Sequence, residues 1–346
     1  MAQNTDITVS PEAKKLHFDS IVADLHADSF LLESLFGYNI AKRHRSIIPR
    51  NPLFNHLDIP RAEEGGLNIT GQGIVVLAQK PRKDNFLQCG DRMTRRILRG
   101  IEGNADKLAL VLNAKEARAA VKNNKIGVFM GIEGAHILSG KLEAVEYFHS
   151  LGVRYLTLGH FSENEVVYSS NDLKNAHENL KPFGKRLIKE LEAYRIMVDI
   201  THVAPGCFWD IMKLVTHPVI ASHTGIKAVH SHWRNLDDEQ LKAVAATGGV
   251  VGIMFQPGFL SGNTWRCSLD TVIAHIEHAI KVAGEDHVAL GSDFDGFITT
   301  PDGLEDVTCL PNITQSLLER GYSKKVIRKF LGENFLRVFA EVCDTE

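Results

Sequence analysis

One pattern limits this chain more than any other. A short apolar or β-branched run, then turn residues, then an amphipathic stretch of about 10–15 residues, recurs along its length. The expected strands are Ile21–Leu25, Gly73–Ala78, Gly127–Ile132, Val153–Leu158, Ile196–Ile200, Val219–Ser222, Val250–Phe255 and Val288–Leu290. Helices are expected between them at Asp91–Arg99, Leu142–Ser150, Phe183–Tyr194, Asp238–Ala246 and Leu269–Ala283, with Ile313–Arg320 and Ser323–Val342 after the last strand. Leu108–Leu112 reads as a short extra element. Alternating units of this kind build parallel sheets, and eight of them point to an α/β fold, a (β/α)8 TIM barrel with C-terminal helices. An open doubly wound sheet has the same periodicity and is the second choice. Gly71-Gln72-Gly73 is no dinucleotide fingerprint, because it lacks the third glycine and does not open a helix.

No Pro/Gly/Ser-rich linker or internal repeat divides the 346 residues, so one domain over 1–346 is expected, with 1–18 as a polar N-terminal extension. With 39 Lys+Arg against 42 Asp+Glu, net charge −3, the chain lacks the clustered basic excess of a nucleic-acid binder. Its longest apolar runs, such as Gly248–Phe255, are far short of the roughly 18–20 residues that span a bilayer. The opening residues have no apolar signal segment, and Cys343-Asp344-Thr345-Glu346 is no prenylation motif. Five Cys in a chain of this length make no disulfide framework. The expectation is a cytoplasmic protein with reduced thiols and no nucleic-acid or membrane partner.

The chemistry is read at the C-terminal strand ends, the rim where barrels of this type carry their reactions. The first strand runs into His26-Ala27-Asp28, two side chains on one face of extended chain. The third ends in Glu133, followed by His136, the fourth in His160, the fifth in His202, the sixth in His223 and the eighth in Asp293-Phe294-Asp295. The second and seventh end in no such residue. A charged group entering a barrel mouth is costly unless it is paired or bound to metal, and six on one rim are hard to explain as satisfied core polars. Imidazole and carboxylate without thiolate suit catalytic zinc, with manganese, cobalt or iron as lesser options. The set exceeds what one ion needs, so a pair about 3.5–4 Å apart with a bridging carboxylate is reasonable.

These residues, in order, resemble a known family. Asp24-Leu25-His26-Ala27-Asp28, Gly131-Ile132-Glu133-Gly134, Arg154 to His160, Asp199-Ile200-Thr201-His202-Val203, Pro218 to His223, Arg234-Asn235 and Asp293-Phe294-Asp295-Gly296 together are similar to the membrane (renal) dipeptidase family of zinc peptidases. The resemblance runs from about residue 20 to 342 and includes Pro182-Phe183-Gly184 and Gly303 to Val307.

It implies a barrel of the amidohydrolase type with two Zn2+ per chain. His26, Asp28 and Glu133 would hold one zinc, and Glu133 would bridge to a second completed by His202 and His223. His160 would contact the substrate near the scissile carbonyl, Arg234 would hold the terminal carboxylate, and Asp293 would handle the proton. Hydroxide at the metal pair would then attack the peptide bond of a dipeptide with a free C-terminus, and a D-residue at that end would be tolerated. Relatives suggest a homodimer. Gln256, in Met254-Phe255-Gln256-Pro257, departs from the family pattern and bears on side-chain preference. Asp295 is more readily structural than catalytic. Other readings remain: hydrolysis of N-acyl amino acids or a cyclic amide, or a metal-binding barrel without turnover.

Overall fold

The computed structural model describes residues 7–45, 53–77 and 85–344. Its parallel strands are β1 (Ala23–Ala27), β2 (Ile69–Val75), β3 (Leu108–Leu110), β4 (Ile126–Glu133), β5 (Val153–Thr157), β6 (Met197–Asp199), β7 (Ile220–Thr224), β8 (Val250–Ile253) and β9 (Val288–Leu290). The hydrogen-bonded order is β2-β1-β9-β8-β7-β6-β5-β4-β3, and β2 also pairs with β4 from Ile69↔Gly127 to Val75↔Glu133. That second pairing closes eight strands into a barrel and leaves β3 outside the ring. β3 takes the lower edge of β4 at Ile126–Val128, and β5 takes that edge from Met130 upward. The strands are buried on both faces, as a parallel sheet wrapped in helices requires.

Helices Glu143–Ser150, Pro182–Ala193, Asp238–Ala246 and Leu269–Ala283 lie where the hydrophobic periodicity puts them. The C-terminal helix Asn334–Cys343 plugs the N-terminal end of the barrel. Phe335 stacks on Phe129 with ring centroids 4.7 Å apart, and Arg337 donates to the carbonyls of Gly248 and Asp286, which precede β8 and β9. Leu25, Tyr155, Met197, Ile220 and Val250 share this inner core. With that end filled, the opposite rim is left for the site.

Three expectations are corrected. The second strand is not Gly73–Ala78 but Ile69–Val75, which takes in Gly71 as well as Gly73; Ala78 lies outside the described residues. The stretch expected as a polar extension contains a helix, Pro11–Phe18, capped by Ser10 and burying Ala13, Leu16 and His17; residues 1–6 lie outside the described ones. The long helix expected over Ser323–Val342 is interrupted by a π-helical turn at Lys329–Glu333. Gly332 in that turn packs on the Ile21 carbonyl, where a Cβ would have no room.

Candidate metal centre

The strand ends that carry the chemistry are locally irregular. The β1–β2 register slips between Asp24 and Ala27, around His26, and the β7–β8 register slips between Ala221 and Thr224, around His223. Such bulges re-aim side chains and gather near active sites. His202 and Asp293 take left-handed backbone, φ 66° and 64°. That region costs a side-chain-bearing residue roughly 1–2 kcal/mol, so the surrounding packing holds both in place.

The eight residues expected to bind metal, bind substrate or move the proton meet on the rim, and all eight are buried. Glu133 is the hub. Its Oε1 lies 3.8 Å from His26 Nε2, 3.2 Å from His202 Nε2 and 3.5 Å from His223 Nε2, and its Oε2 lies 3.4 Å from His160 Nε2. Asp28 Oδ1 is 3.5 Å from His26 Nε2. The Nε2 atoms of His202 and His223 stand 3.2 Å apart, and the His26 and His223 rings stack at 4.1 Å. Asp293 closes a third group with His26 and His223. Arg234 is no surface residue: its Nη2 donates to the His223 carbonyl at 2.7 Å and lies 3.3 Å from His202 Nε2.

The electrostatics describe a site short of positive charge. Burial lifts Glu133 to about 7 and Asp293 well above the usual carboxylate range. Burial alone would push His26 down, yet Asp28, Glu133 and Asp293 outweigh it and lift His26 to about 10. Burial, reinforced by neighbouring cations, holds His202 and His223 well below the ordinary imidazole value. A divalent ion satisfies both demands, since it neutralises the carboxylates and takes imidazole lone pairs. Two ligand atoms ask for such a partner directly: His26 Nε2 and Asp28 Oδ1 are sealed from solvent with no hydrogen-bond partner among the described residues. The donors present fit a metal.

Several contributors carried no role in the sequence reading. Tyr155 places its hydroxyl 2.8 Å from His26 Nδ1, which turns Nε2 toward Glu133. Its ring lies over Gly131, where any Cβ would collide with it. Phe161, half exposed, sets its ring 4.8 Å from His160 and 5.0 Å from His202 at the mouth. Only the order of strands and their register bring these residues to the site, and neither is visible in a linear sequence.

Other candidates fall outside the cluster. Asp295 accepts from Ser29 Oγ at 2.6 Å and from the His56 amide, a structural role. His136 Nε2 bonds the Val76 carbonyl, and Gln256 caps the short helix Pro257–Leu260. Beside His202 and Arg234 opens a cavity of about 190 Å3, lined also by Ser170, Thr224, Trp233 and Gln240. That is well under the roughly 300–1,000 Å3 typical of pockets for drug-sized ligands and suits something smaller.

A family model described as membrane dipeptidase (peptidase family M19) matches residues 10–346. Dipeptidase tcpJ of Claviceps purpurea is 30% identical over 322 residues, 91% of this chain and 75% of that protein. An uncharacterised dipeptidase of Schizosaccharomyces pombe is 37% identical over 217 residues, 62% of this chain and 53% of that one. Among solved structures, a metallopeptidase from Rhodobacter sphaeroides, bound to a phosphinate mimic of the dipeptide L-Ala-D-Ala, is similar at 27% identity. It superposes with a TM-score of 0.84 over 94% of this chain and 100% of its own.

Proposed function

This chain belongs to the membrane dipeptidase family of metallopeptidases, and on that premise we propose that it is a zinc-dependent dipeptidase acting on dipeptides with a free C-terminal carboxylate. The observation that carries the proposal is the convergence of four imidazole Nε2 atoms on the Glu133 carboxylate at 3.2–3.8 Å. His26, Asp28 and Glu133 would hold one zinc, and Glu133, His202 and His223 a second. When bound, the ions polarise the peptide carbonyl and acidify water at neutral pH.

The remaining work belongs to the chain's own groups. Arg234 is lowered to about 10 by burial, against Asp293, Glu133 and Asp199, and stays a cation at neutral pH. Its planar fork of donors suits a carboxylate, which restricts substrates to those ending in one. His160, which burial lowers to about 4, is neutral and donates to the carbonyl oxygen without adding fixed charge. Asp293, whose carboxyl burial lifts well above the usual carboxylate range, would carry a proton to the leaving amine. The cavity beside Arg234 has room for one side chain next to the carboxylate it would bind. The mimic bound by the Rhodobacter sphaeroides relative ends in D-Ala, which supports tolerance of a D-residue at the C-terminal position here. A cytoplasmic setting, which would keep the thiols reduced, is part of the same proposal.

Metal analysis and a substrate screen test this reading. About two zinc per chain, turnover of dipeptides including ones ending in a D-residue, and loss of turnover to a chelator would bear it out. Activity on N-acyl amino acids with none on dipeptides would replace it with the amidohydrolase alternative.

A further inference from the structure

Asp199 is fully buried at the end of β6 and accepts four hydrogen bonds. Oδ1 takes the amides of Thr201 and Ser222, both at 3.0 Å, and Oδ2 takes the hydroxyls of Thr157 and Ser222, both at 2.6 Å. Strands β5 and β7 and the turn just after β6 thus send donors to one carboxylate. The Ser222 hydroxyl has a single proton, and its shortest contact sends that proton to Asp199. Its oxygen is then left to accept, and His223 Nδ1 lies 3.0 Å away. Thr201 Oγ1 is a more distant neighbour at 3.3 Å. With Nδ1 donating to Ser222, the lone pair of His223 is on Nε2, the atom 3.5 Å from Glu133 Oε1.

We infer that Asp199, acting through Ser222, is a positioning residue that holds His223 in the tautomer and rotation its place in the metal site requires. The inference rests on the metallopeptidase reading above and adds to it the group that sets one ligand. A similar pair on the opposite seam shows what a purely structural version looks like. Asp24 accepts from the Ser292 amide at 2.7 Å and from its hydroxyl, yet that pair reaches no imidazole. His26 is served instead by Tyr155, while His202 Nδ1 has no hydrogen-bond partner among the described residues. His223 is therefore the ligand tied to a carboxylate through a hydroxyl, an arrangement that elsewhere orients metal-bound imidazoles and raises their basicity.

The test is zinc affinity, measured by competition with a chromogenic chelator on the full chain, together with the melting temperature of the zinc-free protein. Ser222→Ala should weaken zinc binding roughly ten- to hundredfold, and Ser222→Thr, which keeps the hydroxyl, should stay within about threefold of the parent. The zinc-free melting temperature of Ser222→Ala should move by only a few degrees, and Asp199→Asn, if it folds, should follow Ser222→Ala. Parent-like zinc affinity in Ser222→Ala would overturn the inference. So would an equal loss in Ser222→Thr, because the effect would then follow packing rather than the hydroxyl. A parent chain that binds no zinc would instead overturn the proposed function, and this inference with it.

Discussion

Gly73 leaves the space that Asp28 occupies. A Cβ built on Gly73 of β2 would run into Asp28 Oδ1 and would press on the His26 ring at 3.2 Å. The backbone of Gly73 is ordinary strand, so the requirement is for room rather than for an unusual conformation. Gly73→Ala should therefore displace the carboxylate, lower bound zinc per chain and reduce kcat/KM. Overpacking of this kind costs roughly 1–3 kcal/mol in stability. Zinc analysis beside a denaturant melt checks it, and full zinc content in the variant would count against Asp28 as a ligand.

Asp293 is crowded in the same way: a Cβ on Gly296 would strike its Oδ1. If Asp293 carries the proton to the leaving amine, Asp293→Asn should keep its metal and lose kcat by roughly 10²–10⁴-fold. Loss of zinc together with activity would instead make Asp293 a ligand, in keeping with its grouping with His26 and His223.

Arg234→Lys keeps a positive charge and removes the fork. The charge-assisted bonds at stake are worth roughly 1.5–3 kcal/mol, so kcat/KM for a free dipeptide should fall about ten- to hundredfold. Dipeptides amidated at the C-terminus should lose nothing further in the variant. An equal loss on both substrates would mean that Arg234 supports His223, whose carbonyl it holds, rather than the substrate.

His275 predicts how the fold responds to acid. The Ile226 amide donates to its Nδ1 at 2.8 Å, and its Nε2 lies 3.0 Å from the Leu260 carbonyl, so the ring is held neutral with its proton on Nε2. Burial lowers it to about 4 from an ordinary 6.5. The unfolded chain takes up this proton first, so the stability tied to the neutral ring is whole above pH 6.5. It declines as pH falls toward 4, at about 1.4 kcal/mol per pH unit. His17, also lowered to about 4 by burial, adds a second proton in the same window. Urea melts of the parent between pH 7.5 and 4.5 should show this loss, and His275→Gln should have a shallower slope. An unchanged slope would assign the acid sensitivity to other groups.

The barrel and six of its strand ends were legible because one physical rule produces both: apolar runs that stop in His, Asp or Glu are unusual anywhere except a functional rim. The second strand was placed four residues late because its first half, Ile69-Thr70-Gly71-Gln72, is no apolar run, and glycine inside a strand marks a close approach only after the neighbour is known. Here the neighbours are Leu25 and Phe129 for Gly71, and Asp28 for Gly73. Helices such as Ser29–Phe36 and Pro205–Met212 span eight residues each, too short for a periodic signal to stand out. The supports of the site, Tyr155 under His26 and Asp199 behind Ser222, depend on strand register. Bulges at the rim set that register, and no linear pattern announces them.

The closure of β2 directly on β4 makes the chain between them, including β3, a detour rather than a link. The hoop of hydrogen bonds that carries Asp28 past Gly73 to Glu133 is continuous without it. A change in β3 therefore leaves the ring closed, whereas the rest of the detour is tied to it: the Val76 carbonyl holds His136 Nε2, and Met93, Ile97 and Ile101 are buried in the core.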